Sequence, residues 1–197
     1  MSSRRSRPIT NPLLAAALKY ASLGWHVFPL HTAISGGSCS CERAKGCKSP
    51  GKHPRTKNGV KDATTDAAKI REWWLRQPDS NIGIATGIIS GIVVLDIDHK
   101  NDGMTKLRQI EALHGDLPVT VTGRTGNGYH LYFRHPGTSI VSRAAVAGIA
   151  GLDIRGDGGY VVAPPSRHAS GNEYLWEHRP DKAARAAMPD WLRCAIS

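Results

Sequence analysis

Two aspartates at the end of a predicted buried strand are well suited to bind a divalent cation. Residues 91–99 read Gly-Ile-Val-Val-Leu-Asp-Ile-Asp-His, and this β-branched and aliphatic run predicts a buried strand. Side chains alternate between the two faces of a strand, so Asp96 and Asp98 lie on the same face. Neighbouring carboxylates repel each other, and a hard cation such as Mg²⁺ or Mn²⁺ relieves that repulsion. Because Asp-x-Asp is also common in polar turns after core strands, both interpretations stay open.

A second group of potential metal ligands lies in a loop predicted for residues 35–54. Glycine, serine and proline dominate this loop, which also carries Cys39, Cys41, Cys47 and His53. Three thiolates and one imidazole form a ligand set that tetrahedral Zn²⁺ accepts. So polar a loop cannot order itself by burying apolar area, which favours structural zinc over the alternative of free thiols.

The amino-acid composition limits which binding partners and which cellular location the chain is expected to have. Among 197 residues, 26 Lys and Arg oppose 16 Asp and Glu, a net charge of +10. Such a surplus favours nucleic acid as the partner, although it also serves solubility. No apolar run approaches the roughly 20 residues that span a bilayer, and the basic segment at residues 1–8 is not followed by the apolar core typical of a signal peptide. We therefore expect a cytoplasmic protein with no membrane partner.

The rest of the sequence predicts a mixture of helices and strands in one domain, and these elements must position the candidate site residues. Asn11-Pro12 and Asp66 are typical of helix N-termini. We expect a flexible basic tail at residues 1–10 and a single domain at 11–197, with the zinc loop inserted. The predicted helices cover residues 13–23, 66–77, 104–114 and 183–188. The predicted strands cover residues 25–30, 81–85, 91–99, 119–122, 129–133, 149–155, 160–163 and 172–176.

Two further segments carry polar residues next to predicted strands. Residues 123–128, Gly-Arg-Thr-Gly-Asn-Gly, form a loop whose glycines let the backbone approach a ligand, although a plain hairpin is the alternative. His130 follows on a strand, where a lone histidine is more often structural. Asp153 and Arg155 share one face of strand 149–155.

In this order, the motifs resemble those of the bifunctional primase/polymerase (Prim-Pol) domain of phage and plasmid replication proteins. This domain belongs to the archaeo-eukaryotic primase superfamily. The resemblance covers nearly the whole chain, ending near Trp191. Its segments are residues 17–30, 51–54, 62–65, 81–87, 96–98 and 152–166. The last segment contains Gly156-Asp-Gly-Gly-Tyr-Val-Val-Ala-Pro-Pro-Ser166 and is the most specific.

The resemblance implies an α+β fold, in which a small N-terminal α/β lobe carrying the zinc loop packs on an RRM-like sheet. It implies a DNA primase and DNA polymerase, a nucleotidyltransferase that uses dNTPs or NTPs on a single-stranded DNA template. Family members are commonly fused to a helicase, so a replicative helicase, fused or in trans, is a further implied partner. A metal-dependent nuclease and a non-catalytic zinc module that binds single-stranded nucleic acid are the alternatives.

The resemblance also implies roles for individual residues. Two catalytic Mg²⁺ or Mn²⁺ ions are held by Asp96, Asp98 and Asp153. The nucleotide is bound by Arg124, Thr125, Gly126, Gly128, His130, Arg155 and Ser166. Arg155 has pairing with Asp153 as its alternative role. Gly128 stands where relatives often carry serine, so a hydroxyl contact is missing there. Relatives also carry the Cys/His loop, which supports structural Zn²⁺ at Cys39, Cys41, Cys47 and His53.

Overall fold

A computed structural model describes residues 11–34 and 36–196. The predicted tail at residues 1–10 and the first residue of the predicted zinc loop, Ser35, lie outside the described residues. The helices are α1 (Pro12–Ser22), α2 (Ala67–Arg76), α3 (Gly103–His114) and α4 (Asp190–Ala195). The strands are β1 (Val27–Leu30), β2 (Ala33–Ile34), β3 (Ser38–Cys39), β4 (Asn81–Ala85), β5 (Ile92–Asp98), β6 (Val121–Arg124), β7 (Gly128–Arg134), β8 (Leu152–Arg155), β9 (Tyr160–Ala163) and β10 (Leu175–His178).

The first two helices begin where capping chemistry predicts. The Asn11 side chain accepts hydrogen bonds from the amides of Leu13 and Leu14, and Pro12 occupies the first helical position. The Asp66 side chain accepts hydrogen bonds from the backbone amides of the second and third residues of α2 in the same way. Both predicted N-caps are confirmed, and each satisfies amides that have no partner within the helix.

A three-stranded antiparallel sheet, in the order β1-β4-β9, forms the smaller layer with α1 and α2. Its core includes Trp25 and Trp74, both almost fully buried. The outer strand β9 comes from the C-terminal half of the chain, so the lobe predicted at the N-terminus is completed by residues far along the sequence.

The larger layer is a five-stranded antiparallel sheet in the order β10-β6-β7-β5-β8. One face packs against α3 and α4 through a cluster that includes Leu95, Leu107 and Leu192. The opposite face packs against the smaller layer, where Tyr132 stacks on Trp25 with ring centroids 5.5 Å apart. The arrangement confirms the α+β class, with one face of the large sheet turned toward the small one.

Several predicted elements differ from the structure. Residues 183–188 do not form the predicted helix, because the backbone of Ala186 pairs with the sheet: its carbonyl accepts from the Arg134 amide and its amide donates to Thr120. The terminal helix begins after Pro189 instead. Strand β6 begins at Val121 rather than 119, and β10 begins at Leu175 rather than 172. No helix within residues 11–34 and 36–196 is long and apolar enough to cross a membrane.

Candidate active site and metal centre

The strand order of the large sheet places three predicted site residues in one row. Asp96 on β5 lies directly opposite His130 on β7 and directly opposite Asp153 on β8. Directly opposed residues of antiparallel strands point to the same face, about 5 Å apart at Cβ. Their strand neighbours Leu95 and Ile154 point into the cluster under α3 and α4, so the row faces the smaller sheet.

Charged contacts hold this row together. His130 Nε2 lies 3.4 Å from Asp96 Oδ1, and Arg155 Nη2 donates to Asp96 Oδ2 at 3.0 Å. The same Arg155 nitrogen donates to Asp153 Oδ2 at 3.0 Å, while Asp153 Oδ1 accepts from the Ala145 amide. Burial alone would raise the pKa of Asp96, but His130 and Arg155 together outweigh it and hold the pKa well below its ordinary value. The carboxylate therefore stays ionised at neutral pH.

Arg155 has the pairing role that its position in the sequence allows, and its contact with a nucleotide stays a prediction. It pairs with Asp153, and it also places a positive charge between the carboxylates of Asp96 and Asp153. Two carboxylates that share one guanidinium partner supply oxygen ligands of the kind that Mg²⁺ and Mn²⁺ prefer. The donor set therefore fits a divalent cation.

Asp98 lies one pleat further along the same face, but its side chain is turned toward the glycine-rich loop. Its Oδ1 accepts from Asn127 Nδ2 at 2.7 Å and from the Lys100 amide at 2.9 Å, capping a 3₁₀ turn at His99–Asn101. The structure thus brings Asp96 and Asp153 together and places Asp98 beside them, engaged with Asn127.

A cavity of about 320 Å³ lies between the two sheets in front of this row. Asp96, His130 and Arg155 line it from the large sheet, and Tyr160 lines it from β9 of the small sheet. Lys52, from the predicted zinc loop, reaches the same cavity. The volume is within the range of small-molecule sites, which begins at about 300 Å³.

The glycine-rich loop lies next to this cavity rather than in its wall. Arg124 is exposed at the end of β6, and the Thr125 hydroxyl accepts from the Asn127 amide. A side chain at Gly126 would collide with the His168 ring, and one at Gly128 would collide with the Ile97 carbonyl oxygen. Serine at position 128 therefore has no room in this chain, which gives the departure from the family's motif a physical reason.

Ser166 does not reach the cavity. Its side chain is fully buried, and its hydroxyl accepts a hydrogen bond from the Ile82 amide at 2.8 Å. The hydroxyl holds the turn after β9 against β4, so Ser166 has a structural contact here, and its nucleotide contact stays a prediction.

The predicted zinc ligands form one compact cluster. Ligand atoms of Cys39, Cys41, Cys47 and His53 all lie within 4.8 Å of one another, and no other such group of three or more occurs among residues 11–34 and 36–196. His53 Nε2 lies 3.4 Å from the sulfurs of Cys39 and Cys47. Cys39 is positioned by the short pairing of β2 with β3.

The pKa values of His53 and Cys41 are shifted in the direction that favours metal binding, whereas desolvation and the neighbouring thiols raise the pKa of Cys47. Burial, with the charges of Arg43 and Arg55, lowers the pKa of His53, so the imidazole is neutral and can ligate. Desolvation raises the pKa of Cys41, but hydrogen bonds from the Arg43 amide and neighbouring groups outweigh it and lower the value, favouring thiolate. The donor set fits tetrahedral zinc.

The structure adds cavity residues that were not predicted as site residues. These are Lys52, Ser142, Tyr160 and Tyr174. Lys52 is adjacent in sequence to the predicted ligand His53, and Tyr160 lies inside the most specific motif. The sequence could therefore have indicated that both residues lie near the site. Tyr174 carried none, because no local motif indicates that its backbone amide bonds to the Ser166 carbonyl and brings its ring to the cavity.

Comparison with known families agrees with this arrangement. The family model described as "Bifunctional DNA primase/polymerase, N-terminal" matches residues 17–191. No curated protein matches the chain. The matched segment contains the carboxylate row, the cavity between the sheets and the Cys3His cluster.

Proposed function

Because this chain belongs to the bifunctional DNA primase/polymerase family, we propose that it synthesises primers on single-stranded DNA and extends them, in phage or plasmid replication. The family supports a primase/polymerase-type nucleotidyltransferase with dNTPs or NTPs as substrates. One observation carries the proposal: Asp96 lies opposite both His130 and Asp153 on the sheet face that walls the cavity. A replication enzyme of this kind acts in the bacterial or phage-infected host cytoplasm, with a replicative helicase fused or in trans.

Asp96 and Asp153 would hold catalytic Mg²⁺ or Mn²⁺, with Asp98 as the third carboxylate once its side chain turns from Asn127. Two such ions supply activation of the primer hydroxyl and charge neutralisation at the triphosphate. The chain's own residues provide the ionised carboxylates, and His130 and Arg155 keep Asp96 deprotonated.

His130 and Arg155 face the same cavity, and both can donate hydrogen bonds to phosphate oxygens. Nucleotidyl transfer needs little covalent chemistry from the protein, so alignment of the reacting groups and fixed positive charge carry the catalysis. When a nucleotide is bound, Arg155 would exchange one of its carboxylate partners for phosphate.

The test is template-dependent synthesis with single-stranded DNA, labelled dNTPs and NTPs, and Mg²⁺ or Mn²⁺, with and without a primer. The D96A/D98A double variant should lose at least about 100-fold in product while it keeps its fold. Asp116→Asn, an exposed carboxylate away from the cavity, is the matched control and should retain activity. Synthesis that survives D96A/D98A contradicts the assignment.

A parallel incubation without nucleotides separates the alternatives. Shortening of labelled single-stranded DNA would identify a metal-dependent nuclease. Binding of DNA without any product, unchanged by D96A/D98A, would identify a non-catalytic zinc module.

A further inference from the structure

A second polar cavity lies at the β1 edge of the small sheet, whereas the catalytic cavity is lined from β9 at the opposite edge. Its volume is about 310 Å³, and it lies beside Pro29, between α2 and residues 55–62. Neighbouring strands are about 4.8 Å apart and β4 separates β1 from β9, so roughly 10 Å of sheet lies between the two edges. Among the described residues, none lines both cavities. We call the second one the α2 cavity.

The walls of the α2 cavity carry a surplus of positive charge. Arg76 pairs with Glu72, and the Asp62 carboxylate accepts two hydrogen bonds from Asn58. Among residues 11–34 and 36–196, Lys57 and Lys69 take part in no ion pair. Two free ammonium groups therefore line a cavity whose acidic group already has partners. The charged lining residues are Arg55, Lys57, Asp62, Lys69 and Arg76.

Arg55 supplies a fixed guanidinium to the same wall, with a side chain that is only 11% exposed. Its Nε donates to the Leu30 carbonyl at 3.2 Å. Its Nη2 donates to the hydroxyl oxygens of Thr32 and Ser40 at 3.1 and 2.7 Å, and lies 3.7 Å from Asp79. Within the part of the chain that the structure describes, these contacts leave Nη1 without a hydrogen-bond partner. A largely buried guanidinium that keeps free N–H donors is suited to bind a phosphate oxygen.

The half-buried Trp73 adds an aromatic surface to the cavity. It shares one face of α2 with Lys69 and Arg76, four residues before it and three after it. Lys69 Nζ lies 5.1 Å from the centroid of its ring. A positively charged groove with an aromatic side chain is the combination that binds single-stranded nucleic acid without sequence preference. A small free polyphosphate would contact the cations but not the ring, so the ring favours nucleic acid.

We propose that the α2 cavity binds phosphate groups of single-stranded DNA outside the catalytic cavity. Lys57, Lys69 and the Nη1 group of Arg55 contact phosphate oxygens, while the Trp73 ring contacts a sugar or a base. This site goes beyond the proposed function, because it lies at the other edge of the small sheet and needs no catalytic cation. A DNA strand held there is tethered to the protein, which raises its effective concentration at the catalytic cavity.

Fluorescence anisotropy of a labelled single-stranded oligonucleotide, across a KCl series with the full chain, tests the site. K57A/K69A should weaken binding about tenfold at 100 mM KCl and reduce the salt slope by about 1.4, since each phosphate contact contributes about 0.7. K57R/K69R keeps both charges and should retain the affinity. R108A/K182A removes the same charge from exposed positions outside the cavity and should change the affinity by less than about twofold. Zinc content and thermal unfolding verify that each variant is folded.

Calorimetric titration with inorganic tripolyphosphate, without divalent metal, tests for a free polyphosphate in the same cavity. Tripolyphosphate binding that is lost in K57A/K69A while DNA affinity is unchanged would assign the cavity to a free polyphosphate and overturn the proposal. Wild-type DNA affinity in K57A/K69A overturns it as well. An equal loss in R108A/K182A would show that total charge, rather than the cavity, determines DNA binding.

Template-dependent synthesis by the same variants separates this site from the proposed function. K57A/K69A should need about tenfold more template for half-maximal synthesis, with an unchanged rate at saturating template, because the carboxylate row is intact. If the wild-type chain synthesises DNA while K57A/K69A binds DNA normally, only the α2 site fails. If the wild-type chain makes no product but K57A/K69A still loses DNA affinity, the proposed function fails and the α2 site stands.

Discussion

Arg155 donates through one nitrogen to two carboxylates, and its side chain is 36% exposed. The ordinary pKa of an aspartate is 3.8, and the pKa of Asp96 lies below it because of His130 and Arg155. Ionised Asp96 therefore stabilises the fold above about pH 4. That contribution is lost as the pH falls through the lowered pKa, where the carboxyl group takes up a proton.

Replacing Arg155 with glutamine should destabilise the protein in a pH-dependent way. The variant leaves Asp96 and Asp153 facing each other with one cation fewer, so the pKa of Asp96 rises toward its ordinary value. We expect the free energy of unfolding to fall by about 1 kcal/mol at pH 7, a modest figure because solvent screens the partly exposed guanidinium. The difference from the wild type should shrink as the pH falls below 4. Urea unfolding at pH 7, 5 and 3 measures it.

Arg143→Gln is the control, since Arg143 is exposed and its backbone, not its side chain, pairs with Ile154. It should change stability by less than about 0.5 kcal/mol at every pH. A loss in Arg155→Gln that is constant from pH 7 to pH 3 would contradict the coupling to Asp96.

At this scale, strand periodicity placed Asp96 with Asp98 and Asp153 with Arg155 on shared faces, while the family resemblance suggested His130, which the strand pairing puts opposite Asp96. It did not predict the direction of the Asp98 side chain, which depends on Asn127 in a loop that has no regular period. The burial of Ser166 was missed for a similar reason. Its hydroxyl is used by Ile82, a residue far away in sequence.

The zinc loop is the element that links metal binding to the cavity. It carries the Cys3His cluster, and the residue next to His53 reaches the carboxylate row. A loop of this composition buries little apolar area, so we expect its order to depend on a metal at the Cys3His cluster as well as on the contacts from Asn81 and Tyr160. Loss of the metal should therefore change the cavity as well as the loop.

Cys41→Ser should remove zinc from the protein and weaken dATP binding. We expect about one zinc per chain in the wild type and a large loss in the variant, because structural zinc requires all four ligands. Affinity for dATP should fall several-fold, since the turn that positions Lys52 loses one of its supports. Metal analysis by mass spectrometry and equilibrium binding measure the two effects.

Cys194→Ser is the matched control, because Cys194 is exposed and lies outside the cluster. It should retain zinc and dATP affinity. Full zinc content in Cys41→Ser, or zinc loss without any change in dATP affinity, would contradict the link between the loop and the cavity.

Elements were predicted best where local chemistry determines them. The caps at Asn11 and Asp66 and the strands Asn81–Ala85 and Tyr160–Ala163 all lie where the sequence places them. The segment at 183–188 was predicted as a helix from its alanine content. The structure shows otherwise, because the backbone of Ala186 is bonded to Arg134 at the end of β7 and to Thr120 just before β6. Tertiary hydrogen bonds of this kind leave no local pattern in a sequence.

At the scale of the whole molecule, the net charge of +10 coexists with the acidic row of Asp96 and Asp153. Asp96 lines the cavity between the sheets and Asp153 lies directly opposite it, whereas Lys45, Lys57, Arg124 and Arg143 are exposed. The basic outer surface would attract a DNA strand, while the carboxylates would bind cations. Binding of the template and catalysis should therefore be separable.

Affinity for single-stranded DNA should fall steeply with salt and should not depend on the catalytic carboxylates. For single strands the logarithm of the binding constant falls by about 0.7 per phosphate contact for each tenfold rise in salt concentration. A protein that makes roughly five phosphate contacts would thus lose about 100-fold in DNA affinity between 50 and 200 mM salt.

Fluorescence anisotropy of a labelled oligonucleotide across a KCl series measures this slope in the wild type and in Asp96→Asn. The variant should show the same slope and equal or slightly tighter binding, because it removes one negative charge, while template-dependent synthesis is lost. A flat salt dependence would mean that the basic surplus serves solubility rather than DNA, and weaker binding by Asp96→Asn would mean that DNA binds through the carboxylate row itself.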